Sequence, residues 1–398
     1  MDPILNPYAP GAGTPPVELA GRDALREEAR IAMARIRAGR PARSLLLIGL
    51  RGVGKTVLLD RMRQDAEAEG LHTVRIEAPE ERSLPAILAP QLRQALLRLS
   101  RTQQAGALGR RALQALAGFA RSLKVKYADI EVGFDVEPEP GLADNGDLEH
   151  DLQVLLETAG EAAKGADTAL ILFIDELQYV EEEQLAALIT ALHRVAQRQL
   201  PVMMVGAGLP QLPGQMGRAK SYAERLFTFP QIGELDPASA RHAIEVPAAQ
   251  HHVRFTPAAL SEILRQTRGY PYFLQEWGKH VWQVATGSPV TLEDVREASR
   301  EAVAGLDEGF FRVRFDRLTP TEKRYLRAMA ELGEGPHRSG DIASVLGRNV
   351  SSLGPVRSQL IAKGMIWSPN HGDTAFTVPM FDQFMRRIMP GDAWRTDI

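Results

Sequence analysis

Cysteine is absent from the 398 residues, which excludes disulfide staples, thiolate zinc sites and any thiol nucleophile. No apolar run approaches the ~20 residues that a bilayer-crossing helix requires. The opening "MDPILNPYAPGAG" lacks the basic flank and apolar stretch of a secretion signal, so a cytoplasmic protein with no membrane partner is the expectation. Aromatic residues are scarce at 6%, and neither sign of charge dominates: 47 Lys and Arg stand against 50 Asp and Glu, a net charge of −3. No global field draws such a molecule to phosphate, and any nucleic-acid contact must come from a local basic face. What is present, 44% hydrophobic and 24% charged residues, suits an ordinary globular chain long enough for two or three domains, each with its own core.

Proline and glycine crowd residues 1–20, where "NPYAPGAGTPPVELAG" cannot propagate a helix and reads as an extended arm laid on the first domain. Helical spacing of apolar residues then runs from Arg22 to Arg37. The segments "SLLLIG" (44–49), "TVRIEA" (73–78), "ALILFI" (169–174) and "PVMMVG" (201–206) are short, apolar and bounded by turn or charge signals. Such runs, with helical patterns between them, suit central strands of a parallel sheet covered on both faces. An insertion at about 90–145 begins with Leu/Ala/Arg-rich helix and continues with Val125, Tyr127, Ile130, Val132, Phe134 and Val136 in near-alternation, which predicts a β-hairpin over 124–137. The domain plan is therefore an arm at 1–20, an α/β core at 21–233, a helical lid at 234–305, a further unit at 306–390 and a tail at 391–398. That further unit offers three helical stretches and two extended pieces around His371-Gly372-Asp373, the order of a winged helix-turn-helix.

Between the first strand and its helix stands "GLRGVGKT", Gly49 to Thr56, which fits the G-x-x-x-x-G-K-[ST] phosphate-loop template in the required strand-to-helix context. Gly49, Gly52 and Gly54 let backbone N–H groups, with those of Val53 and Val57, turn towards phosphate oxygens at a helix N-terminus. Lys55 reaches the terminal phosphates and Thr56 supplies an oxygen to Mg²⁺. The competing reading is a glycine-rich turn that matches by chance. "ALILFIDE" weighs against it, because Asp175 and Glu176 follow a buried strand, where Asp175 can hold the metal's water shell and Glu176 can orient an attacking water. As a bland alternative, both carboxylates open a helix as simple N-terminal charges.

With these motifs, "ELAGRDALREEARIAMARI", "PVMMVGAGLP", "SYAERLFTFPQIGELD" and the "GYP" of a lid, the chain from about 15 to 390 resembles an AAA+ ATPase of the origin-recognition-like group. It is similar to bacterial ATP-binding proteins that share features with archaeal ATPases and STAND NTPases. The resemblance implies a P-loop NTPase core with helical lid and winged helix, ATP and Mg²⁺ as cofactors, and a homo-oligomer. It implies that Tyr270 and Pro271 lie near the base, while Phe273, Trp277 and Trp282 build the lid core; a core role for all these rings is the other reading. The γ-phosphate-sensing arginine that origin-recognition proteins carry after a lid glycine is missing from Gly269-Tyr270-Pro271-Tyr272. The strand ending Gly206-Ala207-Gly208 also lacks the polar residue that holds the lytic water, which implies slow hydrolysis. Arg225, with Arg218 as fallback, stands where related oligomers present an arginine to a neighbour's phosphate; a solvated surface arginine is the plainer reading.

Residues 306–390 hold twelve Lys and Arg against nine Asp and Glu, a modest basic tilt. A recognition helix starting near Ser351 would offer Arg348, Asn349, Ser352, Arg357 and Ser358 to double-stranded DNA, with His371 on the wing. Winged helices also dock proteins, so the first expectation is an ATPase that couples nucleotide state to DNA, and the second is a signalling or defence NTPase switch with a protein partner. A metabolic kinase fits poorly, because the chain continues into a lid and a winged unit. His251-His252 has no partner at metal-ligand spacing, and the sequon at Asn349 carries no meaning without secretion.

Overall fold

The computed structural model describes residues 1–11, 13–78, 82–101, 106–130 and 136–395. The chain divides into two compact units, one of residues 22–48 and 55–232, the other of 1–21, 49–54 and 233–398. Each has its own apolar core.

The first unit runs α1 (Asp23–Arg37), β1 (Ser44–Ile48), α2 (Lys55–Ala68), β2 (His72–Glu77), α3 (Leu84–Ser100), α4 (Gly106–Leu123), α5 (Leu148–Gly165), β3 (Leu170–Asp175), α6 (Glu182–Gln197), β4 (Val202–Gly208), α7 (Leu212–Ala219), α8 (Ala223–Leu226) and β5 (Phe227–Thr228). Its five strands are all parallel, in the order β2-β3-β4-β1-β5. Every residue of β1, β3 and β4 is buried, as continuous apolar runs require when helices cover both faces of a parallel sheet. Each fully buried leucine of β1 contributes about 1.5–3 kcal/mol of transfer free energy. The edge strand β2 instead alternates, burying Val74 and Ile76 and exposing Arg75 and Glu77. β1 lies between β4 and β5, with Leu45 opposite Val205 and Ser44 opposite Phe227. The strand order thus reverses direction beside β1, and in open α/β sheets ligands gather beyond the carboxyl ends of strands at such a point.

The insertion carries the end of α3 and all of α4, and its described residues after Leu123 form turns and irregular chain. Ser83 caps α3 by accepting the Ala86 N–H, and its own N–H and hydroxyl donate to Asp129, both at 2.9 Å. Asp151 is buried at the start of α5, where its carboxylate accepts from the N–H groups of Asn145 and Gly146 and from the Ser122 hydroxyl. The alternation over 124–137 forms no strand among the described residues: Lys124–Lys126 make a turn after α4, and Ile130 is buried beneath it. The rest of that expected hairpin, 131–135, lies outside the described residues.

The second unit continues with α9 (Pro237–Ala249), α10 (Pro257–Thr267), α11 (Pro271–Val284) and α12 (Leu292–Gly305), then a π-helical turn over Leu306–Phe311 and α13 (Arg312–Asp316). It ends with α14 (Pro320–Leu332), β6 (His337–Arg338), α15 (Ser339–Leu346), α16 (Val350–Ala362), β7 (Ile366–Trp367), β8 (Asp373–Phe376) and α17 (Phe381–Ile388). β8 pairs antiparallel with β6 on one side and β7 on the other. Capping is explicit: Asp236, Thr256, Thr291 and Thr319 each accept N–H groups of the turn they open, worth about 1 kcal/mol per helix start. Phe273, Trp277 and Trp282 are core residues, and the two indoles donate to the Ser299 hydroxyl at 2.9 Å and the Asp2 carbonyl at 2.8 Å. The N-terminal arm therefore packs on the helices of this unit, not on the first domain as its sequence position suggested. Tyr8 is buried there and donates its hydroxyl to the Ile244 carbonyl at 2.5 Å.

Candidate nucleotide site

β3 delivers Asp175 as its last residue, and the register pairs it with Glu77 of β2. Because the strand is apolar on both faces, the Asp175 carboxylate arrives buried, at 6% exposure. It accepts the Thr56 hydroxyl at 2.6 Å on one oxygen and the Glu176 N–H at 2.8 Å on the other. Burial pushes the Asp175 carboxyl above the usual aspartate range, against the Thr56 hydrogen bond; the charge of Glu176 adds to the rise and Lys55 opposes it. Lys55, first residue of α2, is buried as well. A buried carboxylate carrying this cost is stabilised by a nearby cation, and its partner here is a hydroxyl oxygen. Hard oxygen donors of this kind fit Mg²⁺. A shallow pocket beside them is lined by Thr56, Asp60, Arg63, Arg75, Glu77 and Asp175.

Glu176 follows at φ +53°, a left-handed conformation that non-glycine residues rarely hold, and it lets the chain break from the strand into a short 3-10 turn over Leu177–Tyr179. Gln178 in that turn is buried; its amide N–H donates to the Glu176 carboxylate and its amide oxygen accepts the Leu209 N–H at 3.0 Å. Sequence reasoning passed over Gln178. The available signal was a polar side chain between Leu177 and the helix to follow, in a run that is otherwise interior.

The glycine turn 49–54 packs with the second unit. Gly52 and Gly54 have φ of +81° and +88°, where an L side chain would be strained. The Gly52 carbonyl accepts the Tyr272 N–H at 3.1 Å, and a Cβ on Gly52 would stand 3.3 Å from that of Tyr272. The Arg51 N–H donates to the Thr377 carbonyl at 3.1 Å. Of the residues assigned to the base, Pro271 starts α11 near Gly54, whereas the Tyr270 ring is half-buried and packed towards Phe273, with its hydroxyl pushed up to about 12 by burial, then by Glu234 and Glu334. Tyr272, which the sequence did not single out, is the aromatic residue set on the glycine turn; its ring stacks on Phe310 at 4.6 Å. Val53 is buried and Val57 half-buried.

The remaining candidates are dispersed. Arg225 is exposed on α8, two residues ahead of β5, while Arg218 pairs with Glu182 at 3.4 Å. Arg348 and Asn349 are exposed ahead of α16, Ser352 donates to the Asn349 carbonyl, and His371 is exposed in the turn between β7 and β8. Arg357 differs: its guanidinium donates to the Thr374 hydroxyl at 3.0 Å, the Asp373 carbonyl at 3.1 Å and the Ser368 hydroxyl, so it braces the small sheet. Among the described residues, no three or more His, Cys, Asp or Glu side chains are grouped so that they could hold a metal ion.

Residues 18–205 match the AAA ATPase domain family. The residues matched include the glycine turn, Lys55, Thr56, Asp175 and Glu176, and residues 308–385 match a domain of unknown function, DUF8462. Among solved structures, the chain is similar to the Walker-type ATPase PABY2304 of Pyrococcus abyssi, at 16% identity and TM-score 0.57, covering 92% of this chain and 96% of that one. It also matches the Aeropyrum pernix ORC1 protein in complex with DNA, at 16% identity, 94% of each chain and TM-score 0.47. A third match is the Thermotoga maritima RuvB Holliday junction branch migration motor, at 16% identity, 89% of this chain, 92% of that one and TM-score 0.43. Among curated proteins, none matches the chain. The fold around the AAA ATPase domain is that of an α/β P-loop NTPase with a parallel sheet. No helix among the described residues is long and apolar enough to cross a membrane.

Proposed function

We propose that this protein binds ATP with Mg²⁺ and hydrolyses it, and that nucleotide state governs engagement of double-stranded DNA by a C-terminal winged helix-turn-helix. The observation that carries the first part is the buried Asp175 carboxylate hydrogen-bonded to Thr56 at 2.6 Å, in a chain whose Lys55 directly follows the positive-φ glycines. Asp175 and Thr56 would hold the ion, which supplies charge neutralisation on the phosphates. Backbone N–H groups of the turn and Lys55 bind and orient the triphosphate. Glu176 takes a proton from water as the water oxygen bonds to the γ-phosphorus. The bond from that phosphorus to the bridging oxygen breaks, its electron pair leaves with ADP, and inorganic phosphate is the second product. Arg225, exposed ahead of β5, would serve a neighbouring copy's phosphate in a homo-oligomer.

Support for the DNA arm comes from the order α14, β6, α15, α16, β7, β8 with an antiparallel sheet, and from exposure of Arg348, Asn349, Ser352 and His371. A second reading, a switch whose winged helix docks a protein, is favoured by one observation: Val350, at the exposed start of α16, leaves half its surface open, while Arg357 is held by the sheet. Calorimetry with ATP and Mg²⁺, followed by turnover assays, tests the central claim. Lys55→Ala should abolish binding, and Glu176→Gln should keep it while losing at least about a hundredfold in turnover. Equal rates in both variants and the wild type would defeat the hydrolytic reading.

A further inference from the structure

β4 ends in Gly206, Ala207 and Gly208, all buried, and carries no polar side chain towards the reaction. The structure puts an amide there from another element. The Leu209 N–H is a donor, so the atom of Gln178 facing it at 3.0 Å is the oxygen, and the nitrogen is left to face the Glu176 carboxylate. The flipped amide would set donor against donor and oxygen against carboxylate, so the orientation is fixed by its neighbours. Gly208 makes the room: a Cβ there would stand 3.0 Å from the Gln178 amide oxygen and 2.6 Å from Leu212 Cδ2. The Gln178 carbonyl accepts from the Gln215 side chain at 3.4 Å, which ties the turn to α7.

We propose that Gln178 is the positioning residue for Glu176, supplying from the turn after β3 the polar group that the end of β4 does not carry. The proposal rests on the hydrolytic reading above. One amide proton holds the Glu176 carboxylate, and Gln178 acts on the reaction through that contact. A buried side chain bridging two elements could also be a structural brace, so the test separates the two roles.

Steady-state ATP hydrolysis and binding of a fluorescent N-methylanthraniloyl ATP with Mg²⁺ are measured on the full chain for wild type, Glu176→Gln, Gln178→Met, Gln178→Glu and the double variant Glu176→Gln with Gln178→Met. Gln178→Met keeps the volume without the amide; Gln178→Glu keeps an acceptor for the Leu209 N–H while removing the donor to Glu176. Both should lower kcat by about tenfold or more with nucleotide affinity within about twofold, and Gln178→Met should cost nothing further once Glu176 is glutamine. Wild-type kcat in Gln178→Glu overturns the proposal, as does a fall in affinity matching the fall in rate, or a full additional loss in the double variant. Wild-type turnover that Glu176→Gln removes and Gln178→Met spares overturns this proposal alone. A wild type that binds the nucleotide and never turns it over overturns the hydrolytic reading, and this proposal with it.

Discussion

At the scale of single residues, Asp175 is the most consequential side chain because its charge is held where water cannot reach it. Its carboxyl is pushed up chiefly by burial, so the folded chain binds its proton more readily than the unfolded chain. That contribution to stability is complete below the ordinary aspartate range and is lost as pH rises through the raised value. Asp175→Asn should therefore melt higher than wild type at pH 7 without nucleotide, by about 0.5–2 kcal/mol, with the gap closing towards pH 4. The same variant should lose Mg²⁺-dependent nucleotide binding, and a thermal scan with and without ATP and Mg²⁺ reads both effects. Lys55, Thr56 and Asp175 were legible in the sequence because local rules fix them: glycines at forced φ, a helix start, a carboxylate closing an apolar strand. Gln178 and Tyr272 were not, since their roles come from partners at Leu209 and Gly52 that no spacing rule connects to them. At Arg357, likewise, the sequence shows that a guanidinium is present and not that oxygens of Thr374, Ser368 and Asp373 accept from it.

At the scale of elements, α14 shows how one carboxylate can serve two structures. Thr319 and Glu322 close a capping box, and Glu322 also accepts the Lys363 ammonium at 2.7 Å. Burial raises the Glu322 carboxyl, but the Lys363 contact and the Thr319 groups outweigh it and bring the group below the usual glutamate range. This stabilisation is present above the ordinary glutamate pKa and disappears as pH falls through the lowered value. Glu322→Gln should cost about 1–2 kcal/mol at pH 7 through the cap and the half-exposed pair, and the deficit should shrink when melts are repeated near pH 3. The positions of β1 and β3 followed from short apolar runs bounded by turn or charge signals, and that of α1 from helical spacing of apolar residues. Alternation signals a strand only where a partner strand exists; in the period-two stretch after α4, Lys124–Lys126 form a turn and Ile130 is buried, while 131–135 lie outside the described residues.

At the scale of the whole molecule, a net charge of −3 confines any hold on duplex DNA to a few cations. Affinity measured by mobility shift should fall linearly on log–log axes as salt rises, and Arg348→Ala should flatten the slope by about one. Arg357→Ala should act differently, lowering the melting temperature more than the slope. Absence of a shift at low salt with ATP present would favour the protein-docking reading. The order of strands was beyond sequence reasoning, because pairing of β1 with β4 joins residues some 160 positions apart and nothing local specifies it. That pairing also bears on how the chain is made. β1 leaves synthesis early but meets both neighbours, β4 and β5, only once residue 228 has emerged, so the nascent chain must keep "SLLLI" from wrong company until then. A fragment stopping at Gln199 should remain unfolded or aggregate on release, whereas one reaching Ile232 carries every strand needed to close the sheet, a contrast that limited proteolysis of the two products would display.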